Sequence, residues 1–341
     1  MNEMRTLILD TADRIFRDIC DQVLVDKAEK GEWPAGLWQT LEESGLTQAS
    51  VSEERGGAGG TLGDGLYFLK TSARYAAPLP LAETLIAGVL LAEAGADVPA
   101  GPLTVAPVRR NETITVNGGK LSGTATRVPF ARGAAAIVVL TSAGLAIVDP
   151  RDVKIEPGKS MAGEPRDTVI FDGAPANLVG GKASLDTLWQ FGALVRSVQM
   201  AGALEGILNM SVQYVQDRVQ FGRTLSKFQA VQQSLAAMAG QVAAASSAAD
   251  VAIEATEAGD GTVAIAVAKS RVGEAAGLAA ELAHQAHGAI GFTHEYALHQ
   301  FTRRLWAWRD EFGGEPYWQA ELGRQVAKAG GDNLWKFVSR T

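Results

Sequence analysis

Two short stretches hold most of the residues that could do chemistry. The first, HQAHGAIGFTHEY at residues 284–296, carries three of the chain's four histidines and two glycines three positions apart, Gly288 and Gly291. Imidazoles ligate metals and move protons near neutral pH. Glu281 precedes His284 at the Glu-x-x-His spacing that puts a carboxylate and an imidazole on one helical face, as in carboxylate-bridged di-iron bundles. Such a centre needs a second copy, and no other histidine has a glutamate three residues before it. His284 and His287 alone are too few ligands for zinc, so no metal site is expected and these side chains read as solvated or capping groups. The second stretch, YVQDRVQFGRTLSKFQAVQ at residues 214–232, reads as a helix that ends at Phe221-Gly222 followed by a new helix. That leaves Arg218 at a helix C-terminus, where its charge offsets the carbonyl end of the dipole, and Gln229 one face into the next helix. In the first stretch Gln285, Gly288 and Gly291 interrupt a helix. Glycines there let a backbone approach a bulky ligand, or simply make an interhelical turn.

Other chemistries find no support. GKS at Gly158 to Ser160 lacks the earlier glycine of a phosphate loop. GGAGG at Gly56 to Gly60 lacks both a preceding strand and the Gly-x-Gly-x-x-Gly order, and reads as a flexible loop. No Gly-x-Ser-x-Gly elbow is present, and the lone Cys20 has no histidine near it in sequence and no internal disulfide partner. A net charge of -7 with scattered basic residues argues against nucleic acid. The N-terminal stretch carries acids where a signal peptide needs an apolar run, so a cytoplasmic location is expected. SLAAMAGQVAAASSAADVAIEA, the most apolar-looking stretch, is broken by Gln241, two serines and Asp250, and is expected to be a tightly packed helix rather than a membrane span.

The elements that position these stretches come in a simple order. Apolar spacing is helical from Thr6 to about Gly95, with loops at GEWPAG, EERGGAGG and APLP. TITV and KLSGTAT then flank Asn117-Gly118-Gly119, a hairpin turn, and AIVVL and LAIVD flank Thr141 to Gly144. DTVIFDG is a further strand. The helical period returns near Leu185, with Leu194, Val198, Ala201, Leu208 and Val215 on one face, and continues through Val242 and Gln285. Long helices with small contact residues pack as an antiparallel bundle. The expected fold is mainly α with a central β domain: an N-terminal helical domain at 1–100, a small β-barrel or sandwich at 101–183, and a C-terminal four-helix bundle at 184–341. No alternating βαβ pattern suggests a Rossmann sheet.

YVQDRVQFGRTLSKFQAVQQSLAAMA and QAHGAIGFTHEYALHQFTRR together resemble the two signature regions of the acyl-CoA dehydrogenase family, and VSEERGGAGGTLGDGLYFLKTSARYAAPLPLAETLIAG resembles its N-terminal glycine-rich loop, helix and proline turn. The likeness covers nearly the whole chain and implies a flavoenzyme fold with the same helical, β, helical order. By that resemblance Arg218, Phe221 and Gln229 hold the phosphates and adenine of FAD bound to a neighbouring subunit, and Gln285, Gly288 and Gly291 do likewise, with His287 beside that path and no chemistry assigned to it. Thr124 keeps the threonine that follows the family's N-G-x-K, whereas the usual tryptophan is Ser122 and the T-E-P-x-x-G-S-D segment has no counterpart.

The reaction so implied removes a proton α to an acyl-CoA thioester carbonyl while the β carbon delivers hydride to flavin, which requires a carboxylate base. One family position for the base falls near Gly192 and is vacant. The other falls on Phe312 in RLWAWRDEFGGEPYW, one residue from Glu311, so a one-residue shift makes Glu311 the expected base. The expected assembly is a homo-oligomer or a heteromer with a larger homologous subunit. In the heteromer this chain is similar to short companion subunits that complete an FAD site without catalysing. An electron-transfer flavoprotein is the family's usual acceptor, and fatty-acid or steroid side-chain thioesters its substrate classes.

Overall fold

The computed structural model describes residues 3–55 and 57–339, with Val338 described by its backbone alone. Met1, Asn2 and Gly56, which begin the acidic N-terminal stretch and the Gly56–Gly60 run, lie outside the described residues. Among the described residues the first α-helices are α1 (Glu3–Ile19), α2 (Gln22–Glu29), α3 (Ala35–Glu43), α4 (Leu62–Ala73) and α5 (Leu81–Glu93). Eight strands follow: β1 (Leu103–Ala106), β2 (Thr115–Asn117), β3 (Lys120–Pro129), β4 (Ala136–Thr141), β5 (Gly144–Val148), β6 (Lys154–Glu156), β7 (Arg166–Pro175) and β8 (Asn177–Gly180). Among the described residues they form two four-stranded sheets, ordered β1-β4-β5-β8 and β2-β3-β7-β6, in which the β1–β4 pairing is parallel and the others antiparallel. Val139, Ala146 and Val148 of one sheet share a core with Leu121, Val128, Val169 and Phe171 of the other, which makes a sandwich. The hairpin at Asn117–Lys120 turns through Gly118 and Gly119, both with positive φ.

The remaining elements are α6 (Leu185–Asp217), a ribbon of β9 (Val219–Gln220) and β10 (Arg223–Thr224), α7 (Gln229–Glu257), α8 (Thr262–His287), α9 (Leu298–Asp310), α10 (Glu315–Ala329) and α11 (Leu334–Val338). Contacts group residues 1–69 and 77–195 as one unit and residues 70–76 and 196–341 as another. Strands replace helices after α5 and helices return at α6, and the first helices group with the sandwich in one unit. In the second unit Met200, Leu204 and Ile207 of α6, Met238 and Val242 of α7, Val272, Ala276 and Ala279 of α8, and Leu298, Phe301, Leu305 and Trp308 of α9 make one core. Alanines along α8 let α7 and α8 run close together. By length and composition alone α7 could cross a membrane, yet Met238, Val242, Ala245, Ala249, Ala252 and Ile253 are buried in the bundle. Lys70 reaches Asp250 Oδ1 at 2.8 Å and Ser246 Oγ at 2.7 Å, fastening residues 70–76 to this unit.

Candidate functional site

Helix α6 stops at Asp217, four residues before the expected end at Phe221-Gly222. The β9–β10 ribbon intervenes: Phe221 and Gly222 have φ of +53° and +80° and form its tip, while Leu225 N–H donates to Arg218 O at 2.9 Å across its base. Left-handed backbone at two successive residues is incompatible with a continuing helix. Arg218 N–H still donates to Tyr214 O, so Arg218 does sit at the C-terminus of α6. Its side chain is exposed and makes no ion pair among the described residues. Phe221 is 89% exposed, and Gln229, the first residue of α7, is exposed as well.

Helix α8 ends at His287, and Gly288 caps it with φ +63°, a conformation only glycine adopts cheaply. A 3₁₀ turn, Gly288–Phe292, follows, in which Gly291 is buried so tightly that a Cβ would lie 2.9 Å from His287 Cβ. A Cβ on Gly288 would instead meet nothing within 4 Å, and Gln285 is exposed one turn earlier. The two helix ends meet: the Tyr214 ring of α6 stacks on the His287 ring of α8 at 4.4 Å, and Tyr296 closes on both at 5.7 and 4.9 Å. Arg218 lies one turn beyond Tyr214, and Gly288 is next to His287.

His284 is not solvated, contrary to the sequence expectation. It is buried, with Nε2 3.1 Å from Thr302 Oγ1 and its ring stacked on Phe292 and Trp306. His287 is 3% exposed. Its Nδ1 donates to Ala283 O at 2.7 Å, the cap that an i,i+4 position allows. Burial pushes both histidines below the ordinary imidazole pKa, so His287 is neutral near pH 7 and its Nε2 is an acceptor. Among the described residues that Nε2 is buried with no hydrogen-bond partner. A buried acceptor left unmet costs roughly 1–3 kcal/mol, so the site calls for a donor.

Glu311 follows the last residue of α9, in extended backbone. Its Oε2 lies 2.7 Å from Nε of Arg196, a buried α6 arginine that also donates to Gln199. The carboxylate is 13% exposed. Thr124 lies in the first unit, exposed on β3 and paired with Ile170. Arg196 and Lys269, buried cations that act on Glu311 or its turn, escape a reading by motif. The signal was present: Lys269 occupies the helical face of Ile265, Val272 and Ala276, where a charge is out of place.

Residues 2–97 match the acyl-CoA dehydrogenase N-terminal domain and residues 181–309 the acyl-CoA dehydrogenase C-terminal domain, the two segments flanking the strands. The chain is 30% identical over 280 residues to the acyl-CoA dehydrogenase IpdE2 of Mycobacterium tuberculosis, covering 79% of each chain. The chain belongs to the acyl-CoA dehydrogenase family. It is 26% identical over 308 residues to IpdE2 of Mycolicibacterium smegmatis, covering 89% of this chain and 93% of that one. Among solved structures, the Tcur3481-Tcur3483 steroid acyl-CoA dehydrogenase G363A variant superposes with TM-score 0.87 at 27% identity, covering 96% of this chain and 98% of that one. The ChsE4-ChsE5 complex from Mycobacterium tuberculosis, at 22% identity, TM-score 0.86 and coverage of 97% and 99%, shares the fold.

Members of an acyl-CoA dehydrogenase family are flavin oxidoreductases acting on CH–CH bonds, and the residues present fit a flavin dinucleotide. The exposed Arg218 suits a pyrophosphate, and the His287 Nε2 suits a hydroxyl or amino donor. Space beside Gly288 suits close passage of a ligand along the backbone.

Proposed function

We propose that the chain works as an FAD-dependent dehydrogenase subunit that introduces an α,β double bond into an acyl-CoA thioester. Family membership supports the reaction class, and the observation that carries the cofactor reading is the stacking of Tyr214 on His287, which joins the exposed Arg218 to Gly288 beside a buried acceptor. Arg218, Phe221, Gln229 and Gln285 would hold phosphate and adenine of FAD shared with a neighbouring subunit, Gly288 and Gly291 would line its path, and Thr124 would stand on the flavin side. Bound FAD would supply the acceptor for the hydride leaving the β carbon. Glu311 takes the α proton, leaving enolate-like charge on the thioester oxygen.

The test is a visible spectrum of the full chain. A yellow protein bleached by a CoA thioester, with Glu311→Gln keeping the colour and losing the bleaching, supports the reading. The steroid-acting relative puts steroid-derived thioesters on the panel beside straight and branched ones. Electrons would then pass to an electron-transfer flavoprotein.

One observation favours a second reading. The buried Arg196 already pairs with Glu311 at 2.7 Å, and the carboxylate would have to give up that charge-assisted contact to take a proton. In that reading the chain completes the FAD site of a larger homologous subunit without doing the proton transfer, as the two-component names of the Tcur3481-Tcur3483 and ChsE4-ChsE5 relatives would accommodate. A colourless chain that gains flavin only with such a partner is its signature.

A further inference from the structure

Lys269 stands in the middle of α8 with 1% of its surface exposed. An ammonium is costly to bury unless it is met by acceptors and charge. Its Nζ donates to Arg309 O at 2.6 Å and lies 3.5 Å from Trp308 O, the carbonyls of the last turn of α9. Those carbonyls end a helix and lie at the negative end of its dipole, so the ammonium caps α9 from a neighbouring helix. The chain then turns sharply: Glu311 is extended, Phe312 has φ +54° and Gly313 φ +91°.

Glu311, Phe312 and the residues flanking the turn are tied down. Arg196 holds Glu311, Trp318 Nε1 donates to Phe312 O at 2.9 Å, and Glu315 Oε1 pairs with Arg309 Nε at 2.6 Å. Glu315 presses on α8 at Gly273, where a Cβ would come within 1.7 Å of Oε1. The charged groups acting on Lys269 are Asp310 and Glu311 from the end of α9, Glu315 from α10 and Arg196 from α6.

We propose that Lys269 is a positioning residue: through the terminal carbonyls of α9 it fixes the turn that carries Glu311, and loss of its proton resets the geometry of that turn. The part that concerns catalysis rests on Glu311 being the base. Burial brings the Lys269 ammonium down to about 8, against the pull of Glu315, Glu311 and Asp310, so the proton leaves within an accessible range.

The experiment follows the indole Nε1 resonance of Trp318, which reports the bond to Phe312 O, in the full chain by NMR as pH rises. The expected result is a chemical-shift titration centred near pH 8 in the wild type that is absent in Lys269→Met. A resonance that does not move across that range, or that moves equally in Lys269→Met, overturns the proposal. Should Lys269→Met not fold, Lys269→Arg stays charged throughout and must also abolish the titration; if it titrates like the wild type, the proposal fails. Dehydrogenation measured in parallel is expected to fall several-fold through the same midpoint in the wild type and to show no such fall in Lys269→Arg. If the indole behaves as expected while Glu311→Gln leaves the rate unchanged, Lys269 still fixes the turn and it is the assignment of the base that fails.

Discussion

At the residue scale, Lys269 and His287 are both buried, and burial makes a different demand on each. For Lys269 the demand is charge: the folded state lowers its pKa from 10.5 to about 8. Between those values the unfolded chain binds more protons than the folded one, so unfolding free energy rises with pH. The charged form is a cost fully present below pH 8 and relieved by pH 10.5. With 1.36 kcal/mol per pKa unit, the gain is about 3 kcal/mol, and urea titrations at a series of pH values should show it in the wild type and not in Lys269→Met. For His287 the demand is a donor. His287→Phe preserves the stack with Tyr214 and removes Nε2, so flavin affinity should fall about tenfold, near 1.4 kcal/mol, with thermal stability of the cofactor-stripped chain unchanged or raised. Equal flavin affinity in the variant would remove His287 from the site.

At the scale of elements, the turn after α9 and the ribbon after α6 show where backbone decides. Gly273→Ala would place a methyl against Glu315 Oε1, and either the carboxylate leaves Arg309 or α10 shifts. A loss of about 1–3 kcal/mol by denaturant titration is expected, the range for overpacking a tight contact. Much of this level was legible beforehand. Asn117-Gly118-Gly119 made its hairpin because those residues tolerate positive φ, and α6 begins at Leu185 where the helical period returns. The ribbon was not legible: Val219 and Phe221 continue the apolar spacing of α6, and Phe221 carries a left-handed backbone that its residue type does not advertise. The Arg196–Glu311 pair was hidden for another reason. Its members are 115 residues apart, and one-dimensional spacing says nothing about which helix a buried arginine will face.

At the scale of the whole molecule, Tyr214 and His287 join the ends of α6 and α8 in the bundle unit, next to the Arg218 and Gly288 proposed to meet the cofactor, while Thr124 belongs to the sandwich-bearing unit. Arg218 is exposed and Phe221 is 89% exposed, so in the proposed function both are open to a cofactor shared with another subunit. Arg218→Ala should therefore weaken flavin retention on the assembled oligomer by about tenfold or more, the scale of a lost charge-assisted hydrogen bond, while leaving the fold intact by circular dichroism. The measurement that bears most directly on the account is the visible spectrum of the full chain, alone and with a larger homologous subunit, in wild-type and Arg218→Ala forms. A flavin spectrum in the wild type that Arg218→Ala diminishes, and that a CoA thioester bleaches, is the predicted result. A wild-type chain that stays colourless in both settings, or a flavin content indifferent to Arg218, would contradict it.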